Sequence, residues 1–268
     1  MKSSSPRKSS SYIPSRKEII QSASDLIPKL RERAEEAEDL RQMPAQNIED
    51  LKSAGIHKIF TPKRYGGYEM DWGTQVDVAR ELGKGCASTS WMSSVVMSHT
   101  WNLGRFPAEA QEEFWPNCPD AIIATAFAGG GEMTETEGGF ILNGLWKFAS
   151  GVDHSDCAIV AGQYKNANSK SGTGLDYRMA LIMPDQYEII DTWHAEGLKG
   201  TGSKDIKVVD QFVYAFPDGI ALQPGINYEY YFEVFDNDVV NGLKSSKSSV
   251  FSHSELTKEQ KEQKEQKE

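Results

Sequence analysis

The stretch Trp115-Pro-Asn-Cys-Pro-Asp-Ala-Ile-Ile-Ala-Thr-Ala-Phe127 marks the point at which the sequence changes character. Before it, apolar residues recur at spacings of three and four, which is the pattern of helices that bury one face. After Pro119, short segments rich in β-branched and aromatic residues are separated by Gly, Asn, Asp and Pro, as in strands joined by turns. Helices followed by strands predict an α+β fold, in which a helical domain precedes an antiparallel β-barrel or sandwich.

Capping signals indicate where the helices begin and end. Ser15-Arg-Lys-Glu18 is a capping box, after which one apolar stripe continues to Ala37 and predicts a helix of roughly 25 residues. Pro44 and Gly55 are expected to open and close a second, short helix. Three more helices are predicted near 74–82, 90–105 and 107–115, and six strands are predicted at 121–127, 140–148, 157–164, 178–183, 187–193 and 206–213.

These patterns divide the chain into four segments. Residues 1–16 are rich in Ser, Lys and Arg and are expected to be a disordered tail, with an organelle transit peptide as the alternative. Residues 17–118 form the predicted helical domain, and 119–218 form the predicted β-barrel domain. Residues 219–268 are expected to be a degenerate segment that ends in a disordered tail of Lys, Glu and Gln.

Composition excludes several classes of function. The chain has 268 residues with 38% hydrophobic content and a net charge of -10, so a core is expected and general nucleic-acid binding is not. No apolar run is long enough to span a membrane. The three cysteines are far apart and form no CxxC pair, which indicates a reducing, cytoplasmic environment. No cluster of His, Cys and carboxylates predicts a metal site.

Five stretches in register resemble one protein family. They are Arg64-Tyr-Gly-Gly67, Cys86-Ala-Ser-Thr-Ser-Trp91, His99-Thr-Trp101 with Phe106-Pro-Ala-Glu-Ala-Gln111, Gly144-Leu-Trp-Lys-Phe-Ala-Ser-Gly151 with Asp153-His154, and Gly197-Leu-Lys-Gly-Thr-Gly-Ser203. Their order and spacing resemble the oxygenase components of two-component flavin-dependent aromatic monooxygenases, such as those of p-hydroxyphenylacetate and hydroxylated-steroid hydroxylation. That family has the acyl-CoA dehydrogenase fold, and the resemblance covers about residues 17–215.

The resemblance implies a reaction and a set of partners. The helical domain and the barrel would hold one side of a reduced flavin, FMNH2 or FADH2, which a separate flavin reductase supplies. A flavin C4a-hydroperoxide would then hydroxylate a small aromatic substrate, while the protein provides orientation and excludes water. In the family a C-terminal helical domain completes the site and builds a homo-oligomer. The residues after Phe216 show no counterpart of that domain, so a truncated member is expected.

Two residues are candidates for the chemistry. His99 shares the apolar face of its helix with Val95 and Leu103, so a buried core histidine is one reading. The resemblance implies instead that it contacts the phenolic oxygen of the substrate, where imidazole can accept a proton. Ser150 is either an ordinary serine between a strand and a turn or, as the resemblance implies, a hydroxyl that hydrogen-bonds flavin N5 or the peroxide.

The remaining candidates are contacts to the flavin. Residues 125–131 contain three glycines that could let the backbone approach a planar ring, with a flexible turn as the alternative. The expected cofactor-binding residues are Thr125, Phe127, Gly129, Phe148, Ser150 and Gly151. Gly200-Thr-Gly-Ser-Lys204 lacks the spacing of a phosphate loop and lies between strands, so we interpret it as a turn near the flavin.

Two other functions remain open from the sequence. One is an acyl-CoA dehydrogenase-like enzyme, although Thr125-Ala-Phe-Ala-Gly-Gly-Gly131 stands where those enzymes share a Thr-Glu-Pro…Gly-Ser-Asp run. The other is a non-catalytic remnant that binds flavin or an aromatic compound. Binding of reduced and oxidised flavin would discriminate an oxygenase from such a remnant.

Overall fold

The computed structural model describes residues 12–136, 138–165, 174–214, 225–230, 233–235, 245–247, 251–254 and 257. Its first half contains the helices α1 (Arg16–Glu32), α2 (Ala34–Leu40), α3 (Ala45–Ser53), α4 (Trp72–Gly83), α5 (Ala87–Leu103) and α6 (Ala108–Phe114). The predicted capping box is present, because Ser15 Oγ accepts from the Glu18 N–H and the Glu18 carboxylate accepts from the Ser15 N–H.

The helix predicted to run for roughly 25 residues is divided into two. α1 ends at Glu32 and α2 begins at Ala34, with Arg33 between them at φ -99° and ψ 10°. The apolar stripe nevertheless continues, since Leu30 of α1 and Ala37 of α2 are both fully buried in the same core. The stripe therefore predicts the buried face correctly but not the break in the backbone.

Seven strands form the sheet that follows the helices. They are β1 (Ile123–Ala126), β2 (Ala128–Thr136), β3 (Gly139–Ala149), β4 (Cys157–Lys165), β5 (Leu175–Ile182), β6 (Glu188–Ile190) and β7 (Lys204–Tyr214). Their order is β1-β4-β2-β3-β7-β6, and β5 pairs with β4. The predicted α+β fold is confirmed, but the sheet is mixed rather than antiparallel throughout. β1 lies parallel to β4, which is possible because the β2–β3 hairpin forms part of the crossover between them.

Strand β2 has no counterpart in the sequence prediction, because its three glycines are disfavoured in strands. Two glycines make room for the indole of Trp146, which is fully buried. A Cβ at Gly131 would lie 2.0 Å from Trp146 Cζ2, and one at Gly144 would lie 2.6 Å from Cη2. The indole N–H donates to the Ala161 carbonyl at 2.8 Å. Residues 128–131 are thus a strand packed on Trp146 and not a flexible turn.

The helical region and the sheet belong to one structural unit, Met1–Tyr214. α5 packs against β1, and one apolar cluster joins Leu103 of α5, Ile123 of β1 and Ile159 of β4. The boundary expected between residues 118 and 119 therefore separates helices from strands inside a single unit.

A second unit begins at Ala215. Its described residues form two antiparallel pairs, β8 (Asn227–Tyr230) with β11 (Phe251–Ser254) and β9 (Glu233–Phe235) with β10 (Ser245–Lys247). β10 and β11 lie within residues 219–268, which the sequence predicts to be a degenerate segment that ends in a disordered tail, and the structure has short strands there. The Lys, Glu and Gln repeat at 258–268 and residues 1–11 of the N-terminal tail lie outside the described residues.

Candidate functional site

A cavity of about 400 Å³ lies where α5 meets the sheet. Ten described residues from α5, the ends of β1 and β3 and the loop before β7 line it: Trp91, Val95, His99, Thr125, Phe148, Ser150, Trp193, Leu198, Thr201 and Ser203. None of these ten side chains is formally charged apart from the imidazole, which can titrate. Apolar walls with a few convergent polar groups are typical of sites for small ligands.

The structure brings four of the predicted site residues together. Those four are His99, Thr125, Phe148 and Ser150. The other three predicted contacts are not among the lining residues. Phe127 follows β1 with a side chain that is 44% exposed, Gly129 pairs with Trp146 across β2 and β3, and Gly151 lies close to Met92.

His99 is a buried histidine with both ring nitrogens hydrogen-bonded. Its Nδ1 lies 2.6 Å from the Ile123 carbonyl oxygen, and because a carbonyl only accepts, Nδ1 carries the proton and donates. Its Nε2 lies 2.7 Å from Thr125 Oγ1 and accepts the hydroxyl proton in the neutral ring. Burial lowers the pKa of His99 to about 4, so the ring is neutral at physiological pH.

This pKa predicts that acid destabilises the fold through His99. The unfolded chain titrates near pH 6.5 and the folded chain near 4, so the stability present above pH 6.5 is lost as the pH falls toward 4. The loss at pH 5 is about 2 kcal/mol. Urea unfolding measures the free energy of unfolding at pH 7.5 and at pH 5. The difference between these two values should be about 2 kcal/mol smaller in His99→Gln than in the wild-type chain. An unchanged difference would show that His99 does not titrate in this range.

Three hydroxyls form a continuous line in another part of the cavity wall. Ser150 Oγ lies 2.7 Å from Ser203 Oγ, which lies 2.7 Å from Thr201 Oγ1. Ser150 follows β3, whereas Thr201 and Ser203 precede β7. The N–H of Gly151, which has φ +76°, donates to the Thr201 carbonyl at 2.9 Å and ties the two segments together.

Aromatic side chains provide flat apolar surface beside the hydroxyls. The rings of Phe148 and Trp193 are 6.2 Å apart at an interplanar angle of 81°, and Phe148 is 56% exposed. Phe148 also has φ +66°, a left-handed conformation that costs a non-glycine residue about 1 kcal/mol. Such backbone strain is concentrated at functional sites, where the surrounding structure holds it in place.

Two side chains, Glu38 of α2 and Arg41 directly after it, hold the loop that carries Trp193, Leu198 and Thr201. The carboxylate of Glu38 accepts from the backbone N–H groups of Lys199 at 3.1 Å and Gly200 at 3.2 Å. Arg41 pairs with Asp191 and donates to the Trp193 carbonyl. Sequence reasoning missed these supports because the partners are 150 to 162 residues apart and no local pattern links them.

The described residues show few other features of a cofactor or membrane site. Among them, no three His, Cys, Asp or Glu side chains are placed to hold a metal ion. None of the helices in the described ranges is long and apolar enough to cross a membrane. The three cysteines are free, and two of them are buried.

A helical region, a curled mixed sheet and a cavity at their junction define an acyl-CoA dehydrogenase-like fold. Residues 14–117 match the family described as "Acyl-CoA dehydrogenase, N-terminal domain". The structure of "XiaF from Streptomyces sp. in complex with FADH2 and Glycerol" is similar, with a TM-score of 0.69 and 30% identity over 74% of this chain and 50% of that one.

Within this fold class, the chain is a homologue of the oxygenase components of flavin-dependent monooxygenases. It is 37% identical over 188 residues to the "Flavin-dependent monooxygenase, oxygenase subunit HsaA" of Rhodococcus jostii, covering 70% of this chain and 48% of that protein. It is 35% identical over 195 residues to the "p-hydroxyphenylacetate 3-hydroxylase, oxygenase component" of Acinetobacter baumannii, covering 73% and 45%. The predicted relationship is confirmed, and the chain spans about half the length of these curated relatives.

Proposed function

We propose that the chain acts as an oxygenase component that hydroxylates a small phenolic substrate with reduced flavin. The observation that carries this proposal is the convergence of His99, Thr125 and Ser150 on one apolar cavity. The names of the relatives, which include an aromatic hydroxylase and a protein solved with FADH2, support it. A separate flavin reductase would supply FMNH2 or FADH2, in keeping with relatives that are named as oxygenase components or subunits.

The residues present fit a reduced flavin. A volume of about 400 Å³ lies in the usual range for small-ligand pockets. Phe148 and Trp193 offer apolar surface to a planar ring, and Ser150 offers a neutral hydroxyl to its polar edge. When bound, the reduced flavin would supply the activation of molecular oxygen. The expected contacts from Phe127, Gly129 and Gly151 remain predictions, since these residues do not line the cavity.

Thr125 and His99 would act on the hydroxyl of the substrate. Thr125 Oγ1 donates to Nε2 of His99, so its own lone pairs are free to accept from a phenol. His99 is neutral, its Nδ1–H donates to Ile123 and its Nε2 accepts from Thr125, so it acts on a phenol only through Thr125 and only as an acceptor. Since phenols titrate near pH 10 and His99 near 4, full transfer would cost about 8 kcal/mol. The phenolic proton therefore stays on the substrate and forms a hydrogen bond to Thr125 Oγ1, which enriches the ring in electrons without forming a buried ion pair.

The remaining parts of the proposal concern assembly and location. Trp72, Val76 and Trp91 of α4 and α5 are each about half exposed or more, which supports a homo-oligomer as the state that covers them. The free cysteines support a reducing compartment such as the cytoplasm. An acyl-CoA dehydrogenase-like reaction has less support, because none of the ten described lining residues is a carboxylate that could serve as a base.

Binding measurements under anaerobic conditions test the proposal. The full chain should bind reduced flavin more tightly than oxidised flavin, and its complex with reduced flavin should bind phenol. Thr125→Val should weaken phenol binding about tenfold, because the substrate loses its acceptor and His99 Nε2 loses its donor. Thr125→Ser keeps the hydroxyl and is the matched control.

Each part of this experiment has an outcome that contradicts the proposal. Equal or undetectable binding of both flavin forms by the wild-type chain would favour a non-catalytic remnant. Equal phenol binding by Thr125→Val and the wild-type chain would show that the substrate hydroxyl does not lie against Thr125 and His99.

A further inference from the structure

The line of hydroxyls formed by Ser150, Ser203 and Thr201 has a property that a single serine lacks. Both of its internal hydrogen bonds are 2.7 Å long, and the three oxygens have no other side-chain partner among the described residues. Three hydroxyls carry three protons, and the two internal bonds use two of them. Whenever Ser203 donates to one of its neighbours, the third proton leaves the line at one end and the oxygen at the opposite end is free to accept.

Apart from the arrangement in which both end hydroxyls donate to Ser203, two arrangements in which all donation runs in one direction satisfy this line. In one direction Thr201 donates to Ser203, Ser203 donates to Ser150, and Ser150 presents its proton to the cavity. In the other direction Ser150 donates to Ser203, Ser203 donates to Thr201, and Thr201 presents the proton. Changing direction requires only rotation of the hydroxyl hydrogens about their C–O bonds, so no heavy atom moves.

The backbone keeps the line in register. Gly151 follows Ser150, and its N–H donates to the carbonyl of Thr201 at 2.9 Å. All three hydroxyl residues are buried, with 7% of Ser150, 4% of Ser203 and 1% of Thr201 exposed, yet all three line the cavity. The line therefore exists before any ligand binds, and both of its ends face the same cavity.

We propose that Ser203 and Thr201 are positioning residues that let Ser150 act as a hydrogen-bond acceptor toward reduced flavin and as a donor toward oxidised flavin. This inference rests on the proposed function, with Ser150 at N5 of the flavin. Reduced flavin has an N–H at N5, whereas oxidised flavin has a lone pair there. To accept from the N–H, Ser150 must direct its own proton elsewhere, and Ser203 is the acceptor that receives it.

The Ser203→Ala variant of the full chain tests the relay. When Ser150 accepts from the N–H at N5, its own buried proton needs an acceptor, and the variant no longer provides one. The affinity for reduced flavin should therefore fall about tenfold. The affinity for oxidised flavin should change less than about twofold, because Ser150 can still donate. The midpoint potential of the bound flavin should therefore fall by about 30 mV, the two-electron equivalent of a tenfold change.

Two further variants control the experiment. Ser155→Ala removes a nearby hydroxyl that donates to the Gly151 carbonyl at 2.9 Å and lies outside the line, so the ratio of the two affinities should not change. Thr201→Val keeps the shape of the side chain but removes the far end of the line. Thr201→Val should also lower the preference for reduced flavin, but by a smaller factor than Ser203→Ala does. It serves as the test if Ser203→Ala does not fold.

The outcomes separate the relay from the proposed function. The quantity compared is the ratio of the affinity for reduced flavin to the affinity for oxidised flavin. If the wild-type chain prefers reduced flavin and the folded variants keep the same ratio, the relay is wrong and the proposed function stands. If the wild-type chain binds neither form of flavin, both are overturned. A lower ratio in Ser203→Ala and Thr201→Val, with an unchanged ratio in Ser155→Ala, supports the relay.

Discussion

Replacing Lys204 with Met is expected to lower the free energy of unfolding by about 3 to 5 kcal/mol. Lys204 Nζ lies 2.6 Å from Asp153 Oδ1, and the two side chains are only 11% and 15% exposed. The variant would leave the carboxylate of Asp153 buried without its counter-charge. Its Oδ2 already lacks a hydrogen-bond partner among the described residues, so little else can compensate. Because Lys204 follows Ser203, and Asp153 follows Gly151 by two residues, the same change should loosen the cavity wall.

Urea unfolding of matched variants checks this expectation. The double variant Lys204→Met/Asp153→Leu should recover most of the lost stability, because it removes the unpaired charge together with its partner. Arg80→Met breaks an ion pair with Asp77 in which the arginine is 68% exposed, and it should cost less than about 1 kcal/mol. A similarly small loss for Lys204→Met would indicate that water reaches the Lys204–Asp153 pair.

Replacing Val95 with Trp is expected to weaken flavin binding by about 10- to 100-fold. Val95 lies one helical turn before His99 and lines the same cavity. An indole at this position would occupy part of the 400 Å³ that a bound ring needs. A loss of 10- to 100-fold corresponds to about 1.4 to 2.8 kcal/mol, which lies within the typical cost of crowding a filled space. Stability should change little, because the added side chain enters existing space.

A matched substitution on the sheet provides the control. Val209 of β7 is 61% exposed and does not line the cavity, so Val209→Trp should bind flavin as the wild-type chain does. Anaerobic titration with reduced flavin measures both variants, and thermal unfolding confirms that they are folded. Wild-type affinity in a folded Val95→Trp variant would show that flavin binds outside this cavity.

Local signals in the sequence determined most of the secondary structure. The capping box at Ser15 and the proline at 107 indicate where helices begin, because each acts on backbone groups within a few residues. Runs of β-branched and aromatic residues likewise predict strands such as β4 and β7. The break at Arg33 lies within an uninterrupted apolar stripe, so the spacing of apolar residues does not reveal it.

The glycine-rich segment shows where local reasoning fails. Three glycines in residues 128–131 favour a turn by propensity, yet they form strand β2. The reason is the indole of Trp146, which occupies the space beside Gly131 and Gly144. That contact depends on the register between β2 and β3, which the propensities of the individual residues do not contain.

The residue types of the site came from the sequence, whereas their arrangement came from the tertiary structure. His99, Thr125, Phe148 and Ser150 were identified through the resemblance to a family. Only the folded chain decides that His99 bonds Thr125 across 26 residues and that Ser150 bonds Ser203 across 53. Hydrogen bonds within a few residues follow from the local backbone, so a sequence pattern can predict them. Hydrogen bonds between distant segments depend on how helices and sheet pack, which is why the cavity and its line of hydroxyls required the structure.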